Sequence, residues 1–334
     1  MTDSTQVAVE EQDTARTGHG ATVRAWLQQG LAFGSLLVLV VFFAIASDNF
    51  FTWSNISGVL LATAVIGILA LGTTFVITTA GIDLSIGTGM TLCAVMTAVV
   101  AVNWGLGLVP GVLAGLAMGA LMGFVNGVNV AYFKLPPFIA TLAMMQVAQG
   151  LALVISDVSP IYFSEIPAFK NIALGTALGS LPNAVLIMFV LGGIAYFMLG
   201  KTQFGRFTVA IGSNEEATRL SGVNTRRWKV IIYTVAGIFT GIAGVVIASR
   251  LGSAQPQLGV GYELQAIAAV IIGGTSLLGG RGTIVGTLIG ALIMSVLING
   301  LRIMSIQTEW QYVVLGVVIA IAVLADSLRS RKGR

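Results

Sequence analysis

The chain has 334 residues, of which 56% are hydrophobic and only 9% are charged. A soluble domain has about 25% charged residues, so this composition excludes a soluble globular protein and places most of the chain in lipid. The net charge of +4 comes mainly from basic residues beside apolar stretches, which indicates membrane orientation rather than nucleic-acid binding. A single cysteine and a single histidine argue against a disulfide within the chain and against a zinc or haem site of the usual ligand types.

Ten apolar stretches follow one another along the chain and predict an all-α, polytopic membrane protein. Residues 1–28 are polar and lack apolar periodicity, so we expect a disordered cytoplasmic tail and not a cleavable signal peptide. Residues 29–328 form the expected membrane domain, and residues 329–334 form a basic cytoplasmic tail. The predicted spans cover residues 31–46, 56–80, 88–102, 110–130, 138–155, 181–199, 230–249, 262–278, 283–301 and 311–324.

An even number of spans places both termini on the same side of the membrane. With the termini in the cytoplasm, fourteen basic residues fall on the cytoplasmic side, whereas only Lys170, Arg250 and Arg302 fall outside. The opposite orientation would reverse this ratio. The positive-inside rule therefore predicts that both termini are cytoplasmic.

Glycine is frequent, with 42 residues, and it recurs at every fourth position in the fourth span. On a helix this spacing makes one continuous stripe, against which another backbone can pack closely; the alternative is that the stripe lines a pore. The fourth and ninth spans also share a Gly-Ala-Leu segment before an Asn-Gly pair. Because these two spans cross in opposite directions, they suggest an inverted internal repeat, a design shared by many transporters. The stripe consists of Gly111, Gly115, Gly119, Gly123 and Gly127.

The longest polar interruption lies between the sixth and seventh spans, over residues 201–229, and carries six basic residues. Within it, Asn214 followed by two glutamates can begin a short helix, because asparagine caps helix starts and acidic residues suit their positive end. Arg219 follows Glu215 by four residues, which favours an ion pair, and Gly222 can end the helix. The loop either fixes membrane orientation only, or docks a soluble partner and transmits force. The docking candidates are Asn214, Glu215, Glu216, Ala217, Arg219, Leu220, Ser221 and Gly222.

The chain has no recognisable nucleotide-binding or catalytic pattern. The glycine-rich stretch at residues 273–282 lacks the lysine and the spacing of a phosphate-binding loop. Uphill transport would therefore need an ion gradient or a partner that binds ATP. Ion-coupled carriers usually place ionisable groups deep in their spans, whereas the acidic residues here lie at or near predicted span ends. This favours a pore driven by a partner over the alternative, a stand-alone secondary carrier or channel.

Several motifs of this chain occur in an order that is familiar from one family. The segment Thr78–Gly87, TTAGIDLSIG, resembles the G-I-D-L-S-[VI]-G signature of monosaccharide importer permeases of the ATP-binding-cassette (ABC) class, the ribose-permease-like family. The segment Gly212–Val223 looks like the cytoplasmic loop of the same family. The likeness extends over most of the chain and is specific for the family but not for the substrate. Further similar segments are residues 253–256, 261–264 and 272–277.

The resemblance implies a permease subunit of the bacterial inner membrane, without an ATPase or a cofactor of its own. A second permease copy, identical or homologous, would pair with it. An ABC ATPase, often with two nucleotide-binding domains in one chain, would dock on the cytoplasmic side and hold ATP and Mg. An extracytoplasmic sugar-binding protein would deliver ribose or a related monosaccharide. By the same resemblance, the helix at residues 214–221 is the coupling helix, which would fit a groove on the ATPase.

Polar residues in or beside the spans are the candidates for a translocation path or gate. The carboxylate and hydroxyl at the start of the third span either cap that helix or act at a gate. The amides in the fourth and ninth spans either bond between helices or line a path for sugar hydroxyls. Gln265 stands where many relatives carry an acidic residue, so it can hydrogen-bond a hydroxyl but supplies no charge. The candidates are Asp83, Ser85, Asn126, Glu263, Gln265 and Asn299.

Overall fold

The computed structural model describes residue 30 and residues 32–331. The predicted tail over residues 1–28 and the last three residues of the chain lie outside the described residues. The described part is a bundle of α-helices, which confirms the predicted all-α, polytopic class. Its elements are α1 (Ala32–Ala46), α2 (Trp53–Thr78), α3 (Ile86–Ala98), α4 (Leu108–Ala131), α5 (Pro137–Ile155), β1 (Ile161–Tyr162), α6 (Asn171–Leu174), α7 (Asn183–Lys201), α8 (Gln203–Ser213), α9 (Glu215–Leu220), α10 (Thr225–Leu251), β2 (Ser253–Ala254), α11 (Tyr262–Ile272), α12 (Ile284–Ile303) and α13 (Thr308–Arg331).

Ten apolar helices in the described part correspond one to one to the predicted spans. Eight are long and apolar enough to cross a membrane, and in α3 this length includes a π-helical extension, Val99–Asn103. The other two, α1 and α11, are apolar but shorter. Helices dominate because a backbone in lipid must satisfy its own hydrogen bonds. The long helices are α2, α3, α4, α5, α7, α10, α12 and α13.

α11 corrects the predicted eighth span. The sequence predicts a span that reaches Leu278, but the helix ends at Ile272 after 11 residues. It is about 16 Å long, which is about half of the hydrocarbon thickness of a bilayer. Beyond it the chain turns through Gly274, Gly279 and Gly280, whose φ angles of 94°, 79° and 75° lie in the left-handed region. Small and apolar residues continue through this turn, so hydropathy alone does not reveal the interruption.

α2 and α10 form the centre of the bundle. Every residue of α2 from Thr63 to Thr78 is buried. α10 packs against α2, α3 and α4, and its buried Tyr233 is one of the largest enclosed side chains in the described residues. The outer helices α4, α5, α7 and α13 bury far less of their surface, as expected for helices with one face toward lipid.

The glycine stripe of α4 faces the backbones of two neighbouring helices. A methyl group placed on Gly123 would lie 2.9 Å from the carbonyl carbon of Tyr233 in α10. At the other end of the stripe, a methyl group on Gly111 would lie 2.7 Å from the carbonyl oxygen of Thr97 in α3. These distances are too short for any larger residue, so the helices approach backbone to backbone. The contacts favour the packing interpretation of the stripe over a pore lining.

A small cap covers the end of α10 that is opposite to α9. β1 and β2 pair antiparallel, with Ile161 opposite Ala254, so the segment after α5 is joined to the segment after α10. Ser249 of α10 strengthens this join, because its Oγ donates to the carbonyl of Phe169 at 2.6 Å and accepts from the N–H of Ala173 at 2.9 Å. The connection between α5 and α7 is therefore fixed to the central helix.

The close contact between α4 and α10 gives a direct test of the packing. We expect Gly123→Ala to destabilise the purified protein by about 1–3 kcal/mol, because the added methyl group overlaps the Tyr233 backbone. Thermal unfolding in detergent measures the change. Gly150→Ala in α5 is the matched control, since nothing lies within 4 Å of its added methyl group. Equal melting temperatures for the two variants would show that the contact is looser than described.

Candidate functional site

The predicted docking segment contains a short helix, α9, between α8 and α10. Asn214 caps it, because its Oδ1 accepts a hydrogen bond from the N–H of Ala217 at 2.9 Å. Gly222 follows the helix with a φ of 87°, in the left-handed region that only glycine adopts freely. Local sequence thus determines both the start and the end of this helix.

The ion pairs of α9 differ from the predicted one. The sequence predicts a pair between Glu215 and Arg219, but Arg219 instead binds both carboxylate oxygens of Glu216, with its Nε 3.2 Å from Oε2. Glu215 at the start of the helix binds Lys229 of α10, with Nζ and Oε2 2.6 Å apart. The physical reason is position. Glu215 faces the first turn of α10, where Lys229 is the nearer cation.

The ion pair between Glu216 and Arg219 stays charged at neutral pH. The hydrogen bond from Arg219, and then its positive charge, lowers the pKa of the Glu216 carboxyl below its ordinary value. Stabilisation by such a group is present above its ordinary pKa and is lost as the pH falls through the lowered one. Both side chains are largely exposed, at 65% for Glu216 and 61% for Arg219. The pair therefore lies at the surface of α9, where its charges are open to the surroundings.

The exposed face of α9 is mixed in character. Leu220 is 76% exposed at its end, beside the Glu216–Arg219 pair, while Thr218 is buried against the bundle. A surface with an apolar side chain next to a bidentate ion pair can bind a complementary groove on a soluble protein. The exposed face of α9 is therefore compatible with the predicted docking of a soluble partner.

Most of the predicted polar loop is helical and attached to the bundle. α8 was not predicted, and it lies with Phe204 against Phe75 of α2, at 5.1 Å between ring centroids, and near Trp228 of α10 at 6.4 Å. α10 begins at Thr225, five residues before the predicted start of the seventh span. α9 is thus held between two anchored helices, in contrast to a freely solvated loop.

Three of the path candidates form one buried network at the start of α3. The Oδ1 of Asp83 accepts hydrogen bonds from the N–H of Ser85 at 2.9 Å and from its Oγ at 2.6 Å. Asn126 of α4 donates through Nδ2 to the same Oγ at 2.9 Å. All three side chains are buried. The network fixes the segment between α2 and α3 to α4, and in this conformation it is closed to solvent.

The other path candidates lie apart from this network or only beside it. Glu263, at the start of α11, is buried and accepts from the N–H of Gly261 at 3.0 Å, and a methyl group on Gly87 of α3 would collide with its carboxylate. Gln265, two residues further into α11, is half-buried. Asn299 of α12 donates to Asn55 at the far end of α2, at 2.9 Å. It therefore joins two helices and does not reach the Asp83 network.

Sequence reasoning missed Tyr233 and Lys229 as members of these arrangements. The Tyr233 hydroxyl lies close to Gly81, since a methyl group there would be 2.6 Å from it. Neither this hydroxyl nor the Oδ1 of Asn126 has a hydrogen-bond partner within the described residues. A lone tyrosine in an apolar span was the available signal. Within residues 30 and 32–331, no group of three or more His, Cys, Asp or Glu side chains lies together as a metal site would require.

Comparison with known proteins gives a consistent picture. A family model described as branched-chain amino acid transport system / permease component matches residues 55–323. The chain is 43% identical over 315 residues to ribose import permease protein RbsC of Escherichia coli K12. This alignment covers 93% of this chain and 97% of that protein. It is 44% identical over 299 residues to RbsC of Bacillus subtilis, covering 89% and 92% respectively. No solved structure gives a significant match.

A more distant relative carries a different sugar in its name. Fructose import permease protein FrcC of Rhizobium meliloti is 38% identical over 299 residues, covering 87% of this chain and 82% of that protein. The relatives thus match nearly the whole membrane bundle and not one isolated motif.

The buried network makes a specific prediction for Asn126. We expect Asn126→Leu to cost about 1–3 kcal/mol, because the buried Oγ of Ser85 loses the amide group that donates to it. Thermal unfolding of the purified protein measures this cost. Asn129→Leu is the control, because Asn129 lies on the same helix, is half-buried and takes no part in the hydrogen bonds of the Asp83 network. A smaller loss for Asn126→Leu than for the control would contradict the network.

Proposed function

We propose that this chain, which belongs to the permease family described as branched-chain amino acid transport system / permease component, is the membrane-spanning subunit of an ABC importer for a monosaccharide. The observation that carries the proposal is α9: a capped, exposed helix at one end of a bundle whose chain has no nucleotide-binding motif. In this proposal, the energy of ATP hydrolysis by a partner enters through that surface. α9, with Asn214 as its cap and Gly222 as its end, is the coupling helix.

The proposed substrate is a monosaccharide of the ribose type. Relatives of this chain are named for import or transport of ribose, fructose, xylose and allose, which are all uncharged sugars. A pore for such substrates needs hydrogen-bonding groups rather than ions. Selectivity would reside mainly in the extracytoplasmic binding protein.

Association with an ABC ATPase and a sugar-binding protein goes with membership of an import permease family. In our proposal, the ATPase carries two nucleotide-binding domains, binds ATP and Mg, and alone hydrolyses ATP. Two permease copies, identical or homologous, form the pore. α9 of each copy fits a groove on the ATPase, and ATP-driven closure of that protein moves the helices as rigid bodies.

The proposed location is the bacterial inner membrane, with both termini in the cytoplasm. The basic residues near α8, α9 and the start of α10 support this orientation by the positive-inside rule. It places α9 on the same side as the ATPase. The membrane domain is then residues 29–328, with cytoplasmic tails on either side.

We assign the buried candidates to the gate rather than to an open path. In this conformation Asp83, Ser85 and Asn126 are enclosed, so they hold the start of α3 in place. Glu263 is enclosed beside the same helix end. Inward opening would require these contacts to separate, which makes the α2–α3 segment the moving part of the gate.

Reconstitution into liposomes tests the proposed function. We expect ribose uptake only when the permease, its partner ABC ATPase, its binding protein and ATP are all present. The permease alone, under a proton or sodium gradient, is the comparison. Ribose flux driven by an ion gradient without ATPase would instead identify a secondary carrier.

Exchange of the Glu215–Lys229 pair tests the attachment of α9. We expect Glu215→Lys or Lys229→Glu alone to lower the sugar moved per ATP by about fivefold, because a partly exposed ion pair contributes about 1 kcal/mol. The double exchange should restore the ratio, since the two charges are again opposite. Glu165→Lys, on the connection after α5, is the control. Failure of the double exchange to restore coupling would count against the pair.

A further inference from the structure

Three stretches of backbone meet directly before α9. They are the end of α2 at Thr78–Ala80, the end of α8 at Gly212–Ser213 and the glycine turn at Gly279–Gly280. The N–H of Gly280 donates to the carbonyl oxygen of Thr78 at 2.9 Å. We call these three stretches the backbone junction.

The junction has no room for side chains. A methyl group on Gly212 would overlap the carbonyl oxygen of Thr78 and lie 2.6 Å from the nitrogen of Gly280. A methyl group on Gly279 would lie 2.8 Å from the nitrogen of Ala80 and from the oxygen of Gly212. Each stretch therefore touches both of the others through main-chain atoms, which cannot rotate away as side chains do.

The junction connects α9 to two irregular segments of the bundle, the one between α2 and α3 and the one between α11 and α12. Gly212 and Ser213 lie immediately before Asn214, the cap of α9. Thr78 ends α2 and begins the irregular segment that leads to α3, while Gly280 lies in the turn between α11 and α12. A displacement of α9 therefore reaches the α2–α3 segment through the contact of Gly212 with Thr78. It reaches the α11–α12 turn through the contact of Gly212 with Gly280.

We propose that Gly212 is the positioning residue through which movement of α9 is passed to the α2–α3 and α11–α12 breaks. This inference rests on the proposed function, because it assumes that α9 is moved by an ATPase. It adds a specific point of transmission within the permease itself. A glycine is required because the segments slide past one another at main-chain distance when α9 moves.

Gly212→Ala is the first test. The added methyl group forces the junction apart, so we expect sugar moved per ATP to fall by about tenfold, as a steric cost of this kind gives, while ATPase binding and basal ATP hydrolysis persist. Gly200→Ala at the end of α7 is the matched control, since nothing lies within 4 Å of its added methyl group. Normal coupling in Gly212→Ala would overturn the proposal.

A disulfide cross-link tests the proposal if the Gly212→Ala permease does not assemble with the ATPase. A Cβ on Gly280 would lie 3.4 Å from the Cβ of Ser213, close to the separation in a disulfide. In a Cys93→Ala background, the double variant Ser213→Cys with Gly280→Cys should oxidise, lose sugar uptake but keep ATP hydrolysis, and regain uptake with reductant. Uptake that continues in the oxidised complex, or failure to cross-link, would overturn the junction. If the wild-type complex shows no ATP-dependent uptake, the proposed function itself fails.

Discussion

Backbone N–H and C=O groups outside a helix find no water inside a bilayer. This constraint governs where the irregular segments after α2 and after α11 can lie. After α2, the N–H of Gly81 bonds to the carbonyl of Val76 at 3.1 Å. After α11, the N–H of Leu277 bonds to the carboxylate of Asp326 in α13 at 3.1 Å. Irregular backbone is therefore held by the protein, where the last turn of α2 and the side chain of Asp326 in α13 supply the missing partners. The two breaks lie together and are joined by a hydrogen bond from the N–H of Gly280 to the carbonyl of Thr78.

α10 connects this interior to the exposed surface. Its first turn binds α9 through Lys229, its middle meets the glycines of α4, and Tyr233 lies beside Gly81 at the first break. The close approach to α4 leaves little freedom for the two helices to slide independently. Any force on α9 is thus distributed to a helix that touches most of the centre of the bundle.

The number and order of the apolar helices could be predicted from the sequence because long apolar runs have few alternatives to a helix in lipid. The cap at Asn214 and the stop at Gly222 were equally accessible, since each depends on one residue and its immediate neighbours. The buried network was partly accessible: the candidate list held Asp83, Ser85 and Asn126. That these three are bonded to one another depends on contacts between residues about forty positions apart, which local pattern does not reveal.

Other features were beyond sequence reasoning for physical reasons. The end of α11 at Ile272 follows from left-handed glycines within a run that remains apolar, so hydropathy gives no sign of it. α8 was hidden in a polar segment, although the spacing of Phe204, Thr208 and Ile211 matches one helix face. The partners of Glu215 and Arg219 depended on where α10 begins, which charge spacing along α9 does not reveal. The inverted repeat and the roles of the path residues stay predictions.

The cap that joins β1 and β2 to the far end of α10 has a further consequence. α10 has 27 residues and is about 40 Å long, with the cap fastened at one end and α9 at the other. Thermodynamic linkage is reciprocal. If nucleotide bound at the α9 end changes the affinity of the opposite end for a sugar-binding protein, then binding of that protein must change the affinity for nucleotide by the same factor. Under the proposed function, a helix attached at both ends would carry the effect of the binding protein to the ATPase as well as the effect of the ATPase to the opposite surface.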